Sequence, residues 1–233
     1  FGNAQQALDP QKDAAIIGSG GSGGIFTTAQ IQQDSDFMAT ASVMKMVVQG
    51  YAGAGTIEMG GFDYHTGDRM TGEGRDFKAG QCIGACLQYA ALVGVPLMIY
   101  VFSDGSLASG GMIDNSVGGR GKGVWTADNT ATAASLMLVF DPRGRPVANN
   151  QIGSFNPDGT VNATGSVAAN AVNLLAETIV LNYMALHGQA SQFESVRWAN
   201  GLGQGMGSAS SYQNLIAFQP LNSVSGGVIL PPV

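Results

Sequence analysis

Apolar residues recur along the chain in two registers. Phe37, Ala41, Met44 and Val48 fall three or four apart, the spacing of one helix face. Asp34-Ser35-Asp36 supplies the N-cap and Gly50 the stop, which predicts a helix over Phe37 to Gln49. A second helix is expected from Phe77 to Leu92, ending at Gly94. A third, Val167 to Leu186, carries Val172, Leu175, Ile179 and Tyr183 and ends at Gly188. Between the helices lie short continuous apolar runs. Gly55 to Phe62 reads as a buried strand. Leu97 to Phe102 follows Pro96 and reads as a central strand, apolar on both faces. Ser135 to Phe140 reads as another strand. Asp141-Pro142-Arg143-Gly144 and Asn156-Pro157-Asp158-Gly159 are turn signals, and residues 145–165 read as short strands or a hairpin.

The start of the chain breaks the pattern. Gly18-Ser19-Gly20-Gly21-Ser22-Gly23-Gly24 is linker-like. Ala14 to Ile17 before it reads as a short strand, and Ile25-Phe26-Thr27-Thr28 after it starts no helix. The run lacks the Lys-Ser/Thr ending of a phosphate-binding loop. Residues 1–36 are therefore expected as a lead-in, 37–200 as an α/β domain, and 201–233 as a Gly/Ser-rich tail with an apolar piece at Gly227 to Leu230. Helices alternating with strands predict an α/β fold, a sheet with covering helices and long Gly-rich loops. In such folds the functional loops leave the carboxyl ends of the strands.

Charge alters what this fold can be for. Only 11% of the residues are charged and 35 of 233 are Gly, against about 25% and 7% in ordinary domains. A net charge of −6 without a basic run excludes a nucleic-acid binder. The apolar runs are too short to span a bilayer. The glycines have no triplet period, which excludes collagen, and the aliphatic content argues against bulk disorder. The chain opens on Phe1 with neither initiator Met nor signal peptide, which fits a processed piece or part of a longer protein. Cys82 and Cys86, four apart in a predicted helix, read as small core residues.

Two expected strand ends carry chemistry. Gly60-Gly61-Phe62-Asp63-Tyr64-His65 places a carboxylate and an imidazole two apart past the first strand, with Asp68, Glu73 and Asp76 nearby. Ser103-Asp104-Gly105 adds a carboxylate past the next strand. Asp63, His65 and Asp104 are donors suited to a divalent metal, Zn, Mg or Ca. His187, the other histidine, reads as a helix C-terminal residue favoured by the dipole.

Ile57-Glu58-Met59-Gly60-Gly61-Phe62-Asp63-Tyr64-His65 resembles a Gly-Gly-aromatic-Asp-x-His segment of the alkaline phosphatase/sulfatase superfamily, in its uncharacterised, mostly secreted bacterial branch. Tyr100-Val101-Phe102-Ser103-Asp104-Gly105 resembles that branch's strand ending in Ser-Asp-Phe-Gly. The resemblance covers about residues 37 to 187, the C-terminal part of that fold. It implies that Asp63 and His65 are one metal-ligand pair and Asp104 a ligand of a second ion; in active members two ions clamp a phosphate or sulfate ester. The chain departs from the family at Gly119-Arg120-Gly121-Lys122-Gly123-Val124-Trp125, where the family keeps Asp-His-Gly, and residues 1–36 hold no copy of its first strand and nucleophile. The resemblance thus implies a degenerate, non-catalytic domain: an extracytoplasmic structural or assembly subunit that self-associates into oligomers or filaments, or pairs with an N-terminal half. The alternative is a metal-dependent phosphate or sulfate ester hydrolase completed by that missing half.

Overall fold

The computed structural model describes residues 8–20, 23–62, 69–102, 108–126, 135–154, 156–157, 162–169, 171–199 and 209–230. The chain divides into two compact units. One spans Phe1–Phe62, Asp68–Ile99 and Val139–Arg145; the other spans Asp63–Gly67, Tyr100–Leu138 and Pro146–Val233.

In the first unit, the stretch expected as a lead-in is folded. Asp9 caps a helical turn at Pro10–Lys12, and Asp13 caps α1, Ala14–Ile17. A carboxylate that accepts from the backbone two residues on starts a helix rather than a strand, so the expected strand at Ala14 to Ile17 is corrected to a helical turn. After the glycine run the chain returns onto α1, with Ile25 N donating to Ala15 O and Phe26 N to Ile16 O. Thr27 then opens α2, Thr28–Gln33, through a reciprocal capping box with Gln30. The helix start read as absent there is present, and its signal is the Thr27-x-x-Gln30 spacing. Ile16, Phe26 and Ile31 are buried in the core.

α3, Ser35–Val48, forms as its periodicity predicts. Asp34 accepts from the N–H groups of Asp36 and Phe37, and Phe37, Ala41, Met44 and Val48 are buried. α4 runs Arg69–Val93, beginning well before the expected Phe77. Gly72 and Gly74 depress helix propensity there and hide the first two turns. One face of α4, with Cys82, Ala85, Cys86, Tyr89 and Ala90, packs into the same core as α3. Both cysteines are free and buried. Gly55 to Phe62 makes no strand pairing among the described residues; it is an irregular segment whose Ile57 and Met59 lie against the core.

β1, Leu97–Phe102, is a strand as expected, and it pairs with the strand Ser135–Phe140. Within the expected Gly-rich loop lie β2, Ala108–Asp114, and β3, Lys122–Thr126, an antiparallel pair with Ala108 opposite Thr126 and Asp114 opposite Lys122. Ser135–Phe140 is therefore β4. In the second unit α5 spans Val172–Leu186, shorter at its start than predicted. Then come α6, Phe193–Ala199, α7, Ala209–Tyr212, and a small antiparallel pair of β5, Ser223–Ser225, and β6, Val228–Leu230. Leu181, Phe193, Tyr212 and Leu215 form this unit's buried cluster. Residues 145–165 form no hairpin among the described residues; Ala148 instead bridges Phe218.

The fold is mixed helix and strand. The expected single sheet covered by helices is replaced, among the described residues, by three two-stranded sheets. No helix among the described residues is long and apolar enough to cross a membrane.

Candidate functional site

Asp63, His65 and Asp104 lie outside the described residues. The backbone leading to the first pair is described, and a cation holds it. Arg75, in the second turn of α4, donates from Nε to Gly60 O at 2.6 Å and from a terminal nitrogen to Asp36 Oδ2 at 3.2 Å. Its Cζ lies 5.8 Å from the centre of the Phe62 ring. Lys78, one turn on, pairs with Asp34 at 2.6 Å and Asp36 at 3.0 Å. Burial works against the Asp34 carboxylate, but Lys78 and two backbone N–H groups outweigh it and hold its pKa below the ordinary value. The acid cluster read from sequence only as a helix cap is thus also the anchor for two cations.

The second described feature is the turn between β2 and β3, where the resemblance expects a ligand histidine. Asp114 Oδ1 accepts from Ser116 N, Ser116 Oγ accepts from Gly119 N, and Gly121 N donates to Asp114 O. Arg120 has φ of 51°, a left-handed conformation rare for a side-chain-bearing residue. A Cβ on Gly119 would overlap the Asp114 carboxyl group. The turn is closed on itself, and no side chain larger than hydrogen fits at 119 without displacing Asp114.

A third constellation was invisible in the sequence. Asp13 Oδ1 caps α1, while its Oδ2 accepts from Lys45 Nζ at 2.8 Å and from the Tyr89 hydroxyl at 2.6 Å. Gln49 donates to the Tyr89 oxygen at 2.9 Å. The Asp13 and Lys45 side chains are 15% and 8% exposed. Burial alone would raise the Asp13 carboxyl; Lys45, Tyr89 and Ala15 N–H overcome this and hold it below its ordinary 3.8. Burial and the Asp13 hydrogen bond push the Tyr89 hydroxyl up to about 12. The cluster ties α1, α3 and α4 together through a single carboxylate. The only sequence signal is Lys45 on the apolar side of α3, one residue after Met44.

The remaining candidates are quiet. Burial raises the Cys82 thiol and pushes Cys86 up to about 11, so neither forms a thiolate at neutral pH. His187 caps the C-terminus of α5, its ring edge-on to Tyr183 at a centroid distance of 4.7 Å. Burial lowers its pKa below the ordinary 6.5, which works against the imidazolium that the helix dipole would favour. In kind, the two carboxylates and one imidazole of Asp63, His65 and Asp104 fit a divalent ion. Among the described residues no three His, Cys, Asp or Glu side chains gather into a metal site of their own. Glu73 and Asp76 stand on α4. Compared with protein-family models, curated proteins and solved structures, the chain matches none.

Proposed function

We propose that the chain is a degenerate alkaline-phosphatase-like domain that no longer hydrolyses esters and serves as a structural, self-associating subunit of a secreted or cell-surface bacterial structure. The observation that carries the reading is the β2–β3 turn. Hydrolysis in the resembling family needs an imidazole there to complete a two-ion site. This chain has Gly119, Arg120 and Lys122 in its place, and Asp114 occupies the space that a side chain at 119 would take. If that motif borders an ion site as the resemblance implies, its two added cations would oppose metal binding. Asp63, His65 and Asp104 retain enough donors for one ion, which would then fix the loop conformation instead of activating a nucleophile. Apolar side chains on β6, where Val228 is 60% and Ile229 50% exposed, suit burial in an assembly.

The test is made on the purified chain. Metal content, hydrolysis of p-nitrophenyl phosphate and sulfate, and mass by light scattering are measured together. The reading expects no turnover and an oligomer. Turnover that vanishes in Asp63→Ala would establish the hydrolase alternative, and a monomer at high concentration would remove the assembly role.

A further inference from the structure

We infer that β6 is the edge on which two copies of this chain meet: their β6 strands pair antiparallel about a two-fold axis at Ile229, and two hairpins become one four-stranded sheet. The inference deepens the self-association in the proposed function and rests on that reading.

The register decides which backbone groups are available. Gly226 and Gly227, with φ of 58° and 79°, form the turn between β5 and β6. Two positive angles in a two-residue loop belong to the tight hairpin turn that matches strand twist. Ser225 lies opposite Val228, Val224 opposite Ile229 and Ser223 opposite Leu230. Bonded and non-bonded pairs alternate along an antiparallel ladder, and the residues flanking a two-residue turn are a bonded pair. Val228 and Leu230 therefore direct their N–H and C=O groups to β5. Ile229 belongs to the non-bonded pair, and its N–H and C=O point away from β5. No third strand pairs with β6 among the described residues. Two Ile229 residues facing each other across a two-fold axis exchange both hydrogen bonds, and Val228 of one copy then lies opposite Leu230 of the other.

The side chains agree with a covered strand. Val228, Ile229 and Leu230 are all exposed, yet the strand is apolar on both faces, the pattern of one with neighbours around it. Natural sheet edges use charge, above all Lys, to prevent such pairing. No side chain after Arg197 in the sequence is charged. This favours a second copy as the occupant. The chain carries a net charge of −6 and repels its own kind, so a neutral stretch is where two copies approach at least electrostatic cost. The base of the hairpin is anchored, with Leu221 N and Asn222 N both donating to Leu186 O at the end of α5. A lone two-stranded hairpin is marginal in water, whereas a sheet of more strands with an apolar face is not. Pro231, the next residue in line to donate outward, has no N–H, so the contact stays confined to β6. A contact this small is well below the area of a permanent complex, and the dimer is a weak, concentration-dependent one.

The test is sedimentation velocity on the full chain from about 10 μM to about 1 mM, the span of a weak interface. Wild type is compared with Ile229→Val, Ile229→Pro and Ile229→Lys. Proline removes the outward N–H and no hydrogen bond of the hairpin. Lysine keeps the N–H but sets like charges opposite each other across the axis, so it serves if the proline disturbs the hairpin. Wild type and Ile229→Val are expected to pass from monomer to dimer as concentration rises. Ile229→Pro and Ile229→Lys should weaken the dimer by about tenfold or more, as for two lost hydrogen bonds, with far-UV circular dichroism unchanged. The Ile229 amide, followed by hydrogen exchange, should gain protection as the dimer fills. Self-association that is equally strong in Ile229→Pro and Ile229→Lys overturns β6 as the contact and leaves the self-association reading standing. A wild type that stays monomeric throughout overturns both. An Ile229 amide already protected in the dilute monomer shows that another segment of the same chain covers β6, and overturns the second copy as its occupant.

Discussion

Asp13→Ala tests the buried cluster of the first unit. The substitution strips three partners at once: the acceptor for Ala15 N, the counter-charge of Lys45, and the acceptor for the Tyr89 hydroxyl. The Lys45 side chain is only 8% exposed, so the ammonium cannot regain full hydration where it stands. Removing one member of a buried ion pair costs about 3–5 kcal/mol, most of it from the charge left behind. Loss of the cap at α1 adds about 1 kcal/mol. The two contributions share one carboxylate and do not add fully, so about 4 kcal/mol is expected. With a urea slope near 2 kcal/mol per molar, the midpoint should fall by roughly 2 M. Helical circular dichroism reads this transition, because α1 to α4 of the first unit hold most of the described α-helical residues and both tryptophans, Trp125 and Trp198, lie in the second unit. Asp13→Asn combined with Lys45→Met should recover about half of the loss, since it removes the stranded charge and keeps a hydrogen-bond acceptor. A loss below about 1 kcal/mol in Asp13→Ala, the range of an exposed pair, would refute the argument that this pair is desolvated.

Three further outcomes are expected. Asn182 donates to Thr178 O and Leu215 O and accepts from Ala217 N; Asn182→Leu strands buried backbone groups and should cost about 2–3 kcal/mol, read by tryptophan fluorescence in urea and by faster exchange of the Ala217 amide. Neither Cys82 nor Cys86 should react with Ellman's reagent at pH 8 in the native chain, and both should react in urea; a rapidly labelled native thiol would contradict their burial. Asp13, Asp34 and Asp141 all have lowered carboxyl pKa values, so the unfolded chain binds protons first as the pH drops. The stability they contribute is complete above their ordinary value of 3.8 and is lost as pH falls through the lowered values; a midpoint that stays constant from pH 6 to pH 3 would remove that linkage.

The elements legible in the sequence are those whose caps and periodicity agree. α3 has an aspartate N-cap, an apolar face at three and four residues and a stopping glycine, and it forms where predicted. Disagreement between local signals explains the misreadings. The glycines after Ile17 suggested a linker, yet Asp13 and the Thr27–Gln30 box are short-range helix signals of the same strength, and Ile16 and Phe26 need burial. Gly55 to Phe62 has no partner strand among the described residues, and a strand without a neighbour is not stable. The β2–β3 pair was hidden because its turn takes seven residues, 115–121, closed by the Asp114 and Ser116 side chains, and not the two-residue loop that marks a hairpin in sequence. At the candidate site, the motif Gly60 to His65 points to a ligand loop, but Arg75 lies fifteen residues away in sequence from the carbonyl it holds. Only tertiary folding brings the two together.

α4 carries three of its glycines in the open. Around Gly74, Gly80 and Gly84 a methyl group would meet no other atom within 4 Å, so packing does not demand them. Each costs the helix about 1 kcal/mol relative to alanine. Its first half also lacks an apolar face that could compensate. As an isolated peptide, α4 would be a coil. It becomes a helix only when Tyr89 and the two cysteines find the core and when Asp34 and Asp36 are already in place to receive Arg75 and Lys78. These dependencies predict an order of folding, which φ-value analysis would test. α3, with its self-sufficient cap, comes first, and α4 winds up against it. The Gly60–Phe62 backbone can settle only after that, which makes it a late-forming segment whose order reports that the whole unit has assembled.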